Sequence, residues 1–532
     1  MRHLSSLLCR RLSTTLLFFS IGWMGGVQPL PATDFFLTIG GGYDRSGNQA
    51  SLEANVVFFQ QLLADRHCGL RRHDIFFADG DDPAADLQIL AEKPAKSAEP
   101  ATDLLTALHR RRGGAPITYR NHQVAEIAGP LDPTLIRTAL DAVAKTAQSG
   151  DRLIVYVTAH GSAGPKNDKF NTTIDCWNGR NISAREFTAW LNKLPSELPV
   201  VMVMAQCYCG GFGHTIFEGL DDQKGLASQL RVGFFAQQHD LPAAGCRPDI
   251  EHDEEFSSYF WGALAGRSRN GVPIAGCDID SDGVISFAEA YAYAVTAGET
   301  IDIPLRTSEV LLRTFSRLTA DEAKDSLSDS ESKPENPGQF EPESKGKPAL
   351  LTMSGKLETF VDRGHPVTRR IVTQLSKALG ISLQDDVTAV MTGYEESRRA
   401  NRSQGRGRSR QGSGRRELLG EAAEKWPELG DERKWKESPL LRPDNQENLL
   451  AELKQLPGWK SYEERRQQME ASNQESDQRE IHTVKFRKLM SALESIVLEN
   501  NLPLFATPQV VERYQRLLSL EESNLSPAES EK

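Results

Sequence analysis

The sequence predicts an α/β protein: a three-layer domain with a mostly parallel central sheet, followed by an appended α-helical carboxyl-terminal region. Two apolar runs, 153–159 and 200–205, have the length of buried strands and lack polar alternation, as strands covered on both faces do. Segments with helical periodicity lie between these and other apolar runs, and such alternation indicates right-handed βαβ units. The composition becomes charged and helical after about residue 318.

Residues 33–318 are expected to form the α/β domain, and each element has a local signal. Apolar residues at helical spacing mark the helices, and apolar runs bounded by glycine or proline mark the strands. The predicted elements are a strand at 34–40, a helix from about 48, a strand at 74–78, a helix at 133–148, the run before His160, a helix after Ser183, the run before Cys207, a short helix before 230 and a strand at 231–236. Residues 81–130 give mixed signals and are expected to form an excursion.

The remainder of the chain is predicted to be helical and charged. An acidic linker at 319–348 precedes a helical segment at 349–397, an arginine-rich run at 398–416 and a charged helical region at 417–532. The arginine-rich run is interpreted as a solvated tether, with contact to an anionic surface as the alternative. The carboxyl-terminal helices are candidates for interactions with partners.

Length, charge and the amino terminus limit the function classes. A chain of 532 residues exceeds one ordinary domain, and a formal net charge of −11 argues against general nucleic-acid binding. Residues 1–32 have the features of an export signal, with Arg10-Arg11 before a short apolar stretch. That stretch is short for a membrane span, so we expect removal of the signal and an exported protein, secreted or periplasmic, without a span. An uncleaved anchor is the alternative.

His160 and Cys207 closely follow the two apolar runs. The carboxyl ends of parallel strands share one edge of a sheet, where open α/β sheets bind ligands. Cysteine attacks as the thiolate and needs a neighbour that takes its proton, and histidine does this near neutral pH. The backbone N–H groups of Gly161 and Cys207 are the expected donors to a tetrahedral oxyanion. The sequence therefore predicts thiolate chemistry at this edge.

This pattern resembles that of the caspase-like cysteine peptidases, in which a strand followed by His-Gly precedes a strand followed by Cys. Residues 156–162 and 204–211, with Asn48-Gln49-Ala50-Ser51 at the first helix, are most similar to the legumain-like branch. The resemblance covers about residues 33–300. It implies a caspase-like fold and hydrolysis of a peptide or protein substrate through an acyl-enzyme on Cys207, with His160 as acid and base.

Two departures from the legumain-like pattern concern specificity. Legumains carry an acidic residue two positions before the nucleophile, where this chain has Ala205, and an arginine before the first helix, where it has Gly47. Asparagine specificity is therefore not transferred. The candidates for the substrate pocket are Arg45, Gln238, His239 and Asp240.

Cys209 is a rival nucleophile, two residues after Cys207. Relatives in the family carry serine or alanine at this position, which favours Cys207. A Cys-X-Cys pair also suggests a redox role, since a disulfide between such close residues is strained and easily reduced. Packing of Cys209 as a small buried residue is the third interpretation.

Residues 278–289 match the EF-hand loop at every ligand position. A hard cation needs oxygen ligands, and glycine at the sixth position allows the sharp turn. The predicted ligands of a structural Ca²⁺ are the side chains of Asp278, Asp280, Asp282, Ser286 and Glu289 and the carbonyl of Val284. A helix is expected at 287–297, whereas residues 270–276 interrupt a directly entering helix. An acidic turn without metal is the alternative.

The favoured function is an exported cysteine endopeptidase that needs no cofactor for catalysis, with transpeptidation as an accompanying activity. The resemblance also implies that the helical tail covers the active site, in which case deletion of 319–532 should raise activity. A catalytically inactive, calcium-binding scaffold of the same fold is the competing interpretation. A thiol–disulfide exchanger that uses Cys207 and Cys209 is the third.

Overall fold

A mostly parallel sheet lies at the centre of the described chain. The computed structural model describes residues 33–66, 70–91, 99–109, 117–247, 255–319, 350–404 and 413–525. The strands are β1 Asp34–Gly41, β2 Leu70–Phe77, β3 Leu87–Leu90, β4 Ile117–Arg120, β5 Arg152–Ala159, β6 Thr173–Cys176, β7 Arg180–Ser183, β8 Val200–Met204, β9 Arg231–Phe235 and β10 Leu305–Arg306. The six-stranded sheet has the order β10-β9-β8-β5-β1-β2, and only β10 pairs antiparallel with its neighbour.

Helices cover the sheet and form the carboxyl-terminal region. They are α1 Ala50–Asp65, α2 Pro100–His109, α3 Pro133–Thr146, α4 Ala184–Leu191, α5 Phe256–Ala265, α6 Phe287–Ala297, α7 Thr307–Phe315, α8 Leu357–Arg363, α9 Pro366–Ala378, α10 Val387–Gln404, α11 Ser413–Lys425, α12 Gln446–Leu453, α13 Gly458–Phe505 and α14 Pro508–Glu521. The predicted α/β class, mostly parallel sheet and helical carboxyl-terminal region are confirmed. Within the described ranges, no helix is both long and apolar enough to span a bilayer.

The two apolar runs form the centre of the sheet. Residues 153–157 of β5 and 200–204 of β8 are 0% exposed, as expected for strands covered on both faces. Burial of each such aliphatic side chain contributes about 1.5–3 kcal/mol. The helix predicted after Ser183 is α4, and the Ser183 hydroxyl accepts the N–H of Glu186 in its first turn.

Several local predictions differ from the structure. The helix expected before residue 230 is replaced by 3₁₀ turns at Cys209–Ile216, Glu218–Leu220 and Asp222–Lys224, because this stretch is rich in glycine, which disfavours the α-helix. Helix α10 reaches Gln404 and α11 begins at Ser413, so helix occupies both ends of the predicted arginine-rich tether. The excursion contains the antiparallel hairpin β3–β4 and helix α2. The predicted signal at 1–32 and most of the acidic linker lie outside the described residues.

The helical tail shares the hydrophobic core of the sheet domain. Phe234 of β9 belongs to the same buried cluster as Leu375 of α9 and Leu493 of α13. Nearby, Arg306 Nη1 and Glu521 Oε2 pair at 3.1 Å, with the side chains only 3% and 0% exposed. Removing one partner of such a buried pair costs about 3–5 kcal/mol. The described tail helices are therefore docked on the domain through buried contacts.

The tail also contacts the excursion. Leu105 of α2 packs in a second cluster with Leu418 of α11 and Leu453 of α12. Gln446 Oε1 accepts the N–H groups of Ala101 and Thr102, each at 3.1 Å, and so satisfies donors in the first turn of α2. The excursion is thus held between the sheet domain and the tail.

Candidate active site

The register of the sheet places His160 and Cys207 at equivalent positions on one edge. Val157 of β5 is paired with Met204 of β8. His160 follows Val157 by three positions, and Cys207 follows Met204 by three. The Ala205 N–H donates to the Val157 carbonyl at 2.9 Å, so the two chains leave the sheet together. Both side chains are partly exposed. The strand-end prediction thus corresponds to a shared, accessible edge.

His160 is oriented by the loop that precedes α1. Its Nε2 lies 2.7 Å from the Gly47 carbonyl oxygen and 2.9 Å from Gln49 Oε1. A carbonyl only accepts, so Nε2 carries the proton and Nδ1 holds the lone pair. The Tyr43 ring contacts the imidazole edge-on, with centroids 5.0 Å apart. Nδ1 is therefore the atom available to take a proton.

Cys207 lies under the loop that follows β9. The Ala243 N–H donates to Sγ at 3.2 Å, and the thiol reaches the Ala243 carbonyl at 3.7 Å. The chain reverses immediately after the cysteine through Tyr208, whose φ of 61° is in the left-handed region. The predicted turn at Gly210 and Gly211 is therefore made one residue after Cys207, and a 3₁₀ turn follows.

Gly161 joins the two strand ends and tolerates no side chain. A Cβ atom there would lie 2.4 Å from the Cys207 carbonyl oxygen and 2.7 Å from that of Thr173. Among the described residues, no protein group accepts the Gly161 N–H. A close-packed backbone with an unengaged donor suits an oxyanion site, and the assignment of this N–H to that role stays a prediction.

The resting site favours neutral groups. Burial lowers the pKa of His160, and the Gly47 carbonyl and then the carboxylates of Asp175 and Asp44 oppose that shift. Burial raises the pKa of Cys207, which the Ala243 N–H opposes and the charges of Asp302 and Asp175 reinforce. No hydrogen bond between His160 and Cys207 is found in this part of the described structure. Both pKa shifts favour the neutral forms, the protonated thiol of Cys207 and the uncharged imidazole of His160.

Cys209 is not placed to react. Its side chain is 0% exposed, and its Sγ accepts the Gln237 N–H at 3.3 Å. Burial raises the pKa of its thiol. The described cysteines are free thiols: Cys176, Cys207, Cys209, Cys246 and Cys277. This geometry favours the interpretation of Cys209 as a packed residue and disfavours the rival nucleophile and the Cys-X-Cys redox pair.

Two of the four pocket candidates line a cavity of about 880 Å³ between the domain and the tail, next to Gly210. Gln238 accepts the Arg487 guanidinium of α13 at 3.1 Å, and His239 packs against Phe170 with ring centroids 4.6 Å apart. Neither His160 nor Cys207 lines this cavity. His160 and Cys207 therefore lie at the strand ends outside this cavity, which is an adjoining space.

The other two pocket candidates point elsewhere. Arg45 stacks on the Tyr119 ring at 3.9 Å and donates to the Ala85 carbonyl, so it is bound to the excursion. Asp240 is exposed and does not line the cavity. The turn at Asp44–Gly47 directs Arg45 to the excursion, so the four residues do not share this cavity. Their role in a substrate pocket stays a prediction.

The predicted calcium loop gathers three carboxylates. Oxygens of Asp278, Asp280 and Asp282 lie within 4.8 Å of one another. Asp278 accepts the N–H of Gly283, and Glu289 accepts that of Ile279, so both ends of the loop turn toward one centre.

The other predicted ligands, Val284, Ser286 and Glu289, take part in different local hydrogen bonds. Ser286 and Glu289 form the capping box of α6, so their oxygens are already engaged with each other. Val284 is exposed, and its N–H donates to Asp282. Helix α5 ends at Ala265, well before the loop, as the interrupting residues indicated. The donor set fits a hard cation.

Sequence reasoning missed the residues that hold the reactive groups. Gln49 and the Gly47 carbonyl hold the imidazole, and Ala243 contacts the sulfur. The position of Gln49 at the start of a helix was visible in the sequence, but nothing there indicated a hydrogen bond to a residue 111 positions later. Backbone groups such as that of Ala243 leave no signal in side-chain chemistry.

Comparisons with known proteins add little. The chain matches no protein-family model and no curated protein. Among solved structures, it is similar to the crystal structure of protein GSU0716 from Geobacter sulfurreducens, with 12% identity, coverage of 49% of this chain and 88% of that one, and a TM-score of 0.27. A similarity this weak carries no argument about fold or function.

Proposed function

We propose that the protein is an exported cysteine endopeptidase of the caspase-like kind, closest to the legumain-like branch, with Cys207 as nucleophile and His160 as acid and base. The observation that carries the proposal is the matched placement of the two residues, three positions past the paired residues Val157 and Met204. Nδ1 is the basic atom of the imidazole, and Gly161 keeps the strand ends close. These are the requirements of nucleophilic catalysis by a thiol.

The proposed reaction starts from the neutral pair. When the scissile carbonyl approaches, Nδ1 of His160 takes the proton of Cys207, and the sulfur forms a bond to the carbonyl carbon. The N–H groups of Gly161 and Cys207 stabilise the oxyanion. The C–N bond then breaks, the imidazolium protonates the leaving amine, and a thioester remains. Water, or an amine in transpeptidation, attacks the thioester while His160 again takes the proton and returns it to sulfur.

The direct test is hydrolysis of a peptide library by the purified protein. We expect cleavage by the wild type and by Cys209→Ala, because Cys209 is buried away from the site. Cys207→Ala should abolish cleavage. Retained cleavage in Cys207→Ala, or its loss in Cys209→Ala with the fold intact, would contradict the assignment. Cleavage patterns would also establish the specificity.

A structural Ca²⁺ at 278–289 is part of the proposal. Three converging carboxylates and a fourth, Glu289, that closes the loop support it. The ion would hold the loop before α6, and α6 packs on α5 and on α9 of the tail. Terbium luminescence with the full chain tests the site, and Asp280→Asn with Asp282→Asn should abolish the signal. An unchanged signal in that variant would place the metal elsewhere.

A second candidate function is an inactive, calcium-binding scaffold of the same fold. The observation that favours it is the resting geometry of Cys207, whose Sγ contacts Ala243 and whose pKa is raised by burial. A scaffold would use the docked helices and the calcium loop for binding and would leave the peptide library intact. The wild-type hydrolysis assay therefore separates the two candidates.

A further inference from the structure

The loop over Cys207 is braced by the helical tail. Residues 237–244 form the loop that follows β9, and near its end the Ala243 N–H donates to Sγ of Cys207. At the next residue, the Ala244 N–H donates to Asp302 Oδ1 at 2.8 Å. Asp302 is 1% exposed, and Thr300 donates to its other oxygen at 3.0 Å. The buried carboxylate therefore anchors the end of the loop beside Ala243, while the Tyr208 N–H donates to Leu241 in its middle at 3.1 Å.

A buried carboxylate needs a compensating charge, and the tail supplies one. Lys488 of α13 is 4% exposed, and its Nζ donates to the Gly298 carbonyl at 3.2 Å, in the segment that contains Asp302. Burial lowers the pKa of Lys488 and raises that of Asp302, and each residue is the main charge that opposes the shift of the other. The two side chains form no ion pair within 4.0 Å, so the hydrogen bond to Gly298 is the contact through which Lys488 reaches this segment. Its charge acts on Asp302 at longer range.

The segment that carries Asp302 is fixed to the same loop by a second residue. Gln237 donates to the carbonyls of Pro242 at 3.1 Å and Ile301 at 3.3 Å, and its Oε1 accepts the N–H of Ile303. Arg487, the residue before Lys488, donates to Gln238 at the start of the loop. Tail, 298–303 segment and loop are thus one connected unit above the thiol.

We infer that Lys488 is a positioning residue for Cys207: it neutralises Asp302 and so keeps the 237–244 loop, with its Ala243 donor, on the sulfur. This inference rests on the proposed function only in naming Cys207 as the nucleophile, because thiol reactivity is measurable without a substrate. It gives the tail a supporting role at the site, where the family resemblance implied a cover.

The test compares full-length variants that differ in one charge. Lys488→Met removes the buried ammonium but keeps its apolar stem. Lys485→Met is the matched control, since Lys485 lies one turn earlier on α13 and pairs at 2.6 Å with Glu299, which is 60% exposed. Lys488→Met combined with Asp302→Asn removes both charges and keeps an acceptor for Ala244. The readouts are amide hydrogen exchange of the loop and the pH midpoint of Cys207 alkylation by iodoacetamide.

In Lys488→Met we expect exchange of the loop to accelerate at least about tenfold. The alkylation midpoint should rise by about one to two pH units, because a donor to the thiolate is lost. Lys485→Met should leave both readouts unchanged. In the double variant, exchange should return to the wild-type rate. Its midpoint should return to the wild-type value or slightly below, because the Asp302 charge no longer opposes the thiolate.

Three results would overturn the inference: unchanged readouts in Lys488→Met, equal changes in Lys485→Met, or no recovery in the double variant. The charged groups near Lys488 are Asp302, Lys485 and Glu299, and those near Cys207 are Asp302 and Asp175. The thiols of Cys209 and Cys246 also interact with Cys207, and Glu255 interacts with Asp302. If Lys488→Met does not fold, Asp302→Asn alone is the deciding variant. Its 237–244 loop should keep the wild-type protection from amide exchange, and faster exchange would overturn the inference. A wild-type protein that cleaves no peptide would end the proposed function but leave this alkylation result standing.

Discussion

The two reactive groups are held by different parts of the molecule. On the His160 side, Asn48 accepts the Gly42 N–H at 3.1 Å and donates to Asp86 at 2.9 Å, and its carbonyl accepts the Gln88 N–H at 2.7 Å. These contacts belong to the sheet domain and its excursion. On the Cys207 side, the covering loop depends on Asp302 and on the tail residue Lys488. His160, the proposed base, is therefore held within the domain, whereas Cys207, the proposed nucleophile, is held with help from the tail.

This difference separates two kinds of perturbation. Changes at Gln49 should alter the imidazole and leave the thiol as it is. Ser51 touches both sides, because its hydroxyl donates to the Gly245 carbonyl at 2.7 Å, just after the covering loop. Changes in the tail should alter the thiol and leave the imidazole as it is. Deletion of 319–532 disturbs far more than a cover, since Glu521 and Arg306 pair in the shared core. Point variants therefore separate the two sides better than truncation does.

Gly161→Ala should disable both sides at once and give the largest effect. Its Cβ would lie 2.4 Å from the Cys207 carbonyl, so the strand ends must separate and the oxyanion donor must move. Loss of such a donor costs about 10²–10³-fold in kcat, to be measured on a peptide substrate. Gly420→Ala is the control, because a Cβ there meets nothing within 4 Å. Full activity in Gly161→Ala would contradict the claim that the site depends on the close approach of the two strand ends.

Chelation of calcium should destabilise the packing of the carboxyl-terminal helices next to the loop at 278–289. The Ser523 carbonyl accepts the Phe287 N–H at 2.9 Å, and the pKa of Glu522 is raised by burial and also by the charges of Asp280 and Glu289. A cation at 100-fold its Kd contributes about 2.7 kcal/mol. We expect a chelator to lower Tm and to speed amide exchange at 521–525. An equal Tm with and without chelator would contradict a structural ion.

Gln49→Leu should affect only the base. It removes one hydrogen bond to His160 Nε2, worth about 0.5–1.5 kcal/mol, so kcat should fall about three- to tenfold. Gln60→Leu is the control, because Gln60 lies in the helix that Gln49 precedes and donates one bond to the Ala125 carbonyl. Cys207 alkylation should be unchanged in both variants. A changed alkylation midpoint in Gln49→Leu would show that the two sides are coupled.

Gln49→Glu should change the pH dependence of kcat through His160 alone. A carboxylate beside Nε2 favours the imidazolium and raises the pKa of His160. The neutral base is then lost at a higher pH, so the acidic limb of kcat against pH should move upward. An acidic limb that stays in place would mean that Gln49 does not contact the working imidazole.

The Cys207 thiol should lose its proton only at alkaline pH. This is the smallest of the expected effects. Because burial raises the pKa of Cys207, its thiolate fraction should stay low until the pH exceeds the ordinary value of about 8.5. Iodoacetamide alkylation should therefore be slow at pH 6 and rise steadily above pH 8.5. Fast alkylation at pH 6 would instead indicate a preformed thiolate–imidazolium pair.

The sheet and its reactive edge could be predicted because their signals are local. Val200 to Met204 form an unbroken apolar run, and the run itself specifies a strand buried on both faces. The hairpin β6–β7 and strand β10 were not predicted, because four- and two-residue strands are too short to show a periodic pattern. Helix α10 extends into the arginine-rich run, where Asn401 donates to the Arg479 carbonyl of α13 at 3.4 Å, a contact with a distant part of the chain.

The supports of the site could not be predicted because they join distant parts of the chain. Lys488 lies in a strongly charged helix and has the sequence signature of a solvated residue, yet it is 4% exposed. Its role depends on Asp302, 186 positions earlier in the chain. Arg45 shows the same dependence on distant contacts, since it stacks on Tyr119 of the excursion, 74 positions later in the chain.

The most direct test of the paired site is labelling of Cys207 by a peptidyl halomethyl ketone at pH 7, located by mass spectrometry. Binding of the peptide brings the thiol and His160 into use together, so His160→Ala should slow labelling by at least about 10²-fold. Alkylation of the same variant by iodoacetamide above pH 9 should remain at the wild-type rate. Equal labelling in His160→Ala, or modification of another cysteine in its place, would contradict the claim that these two residues act as one catalytic pair.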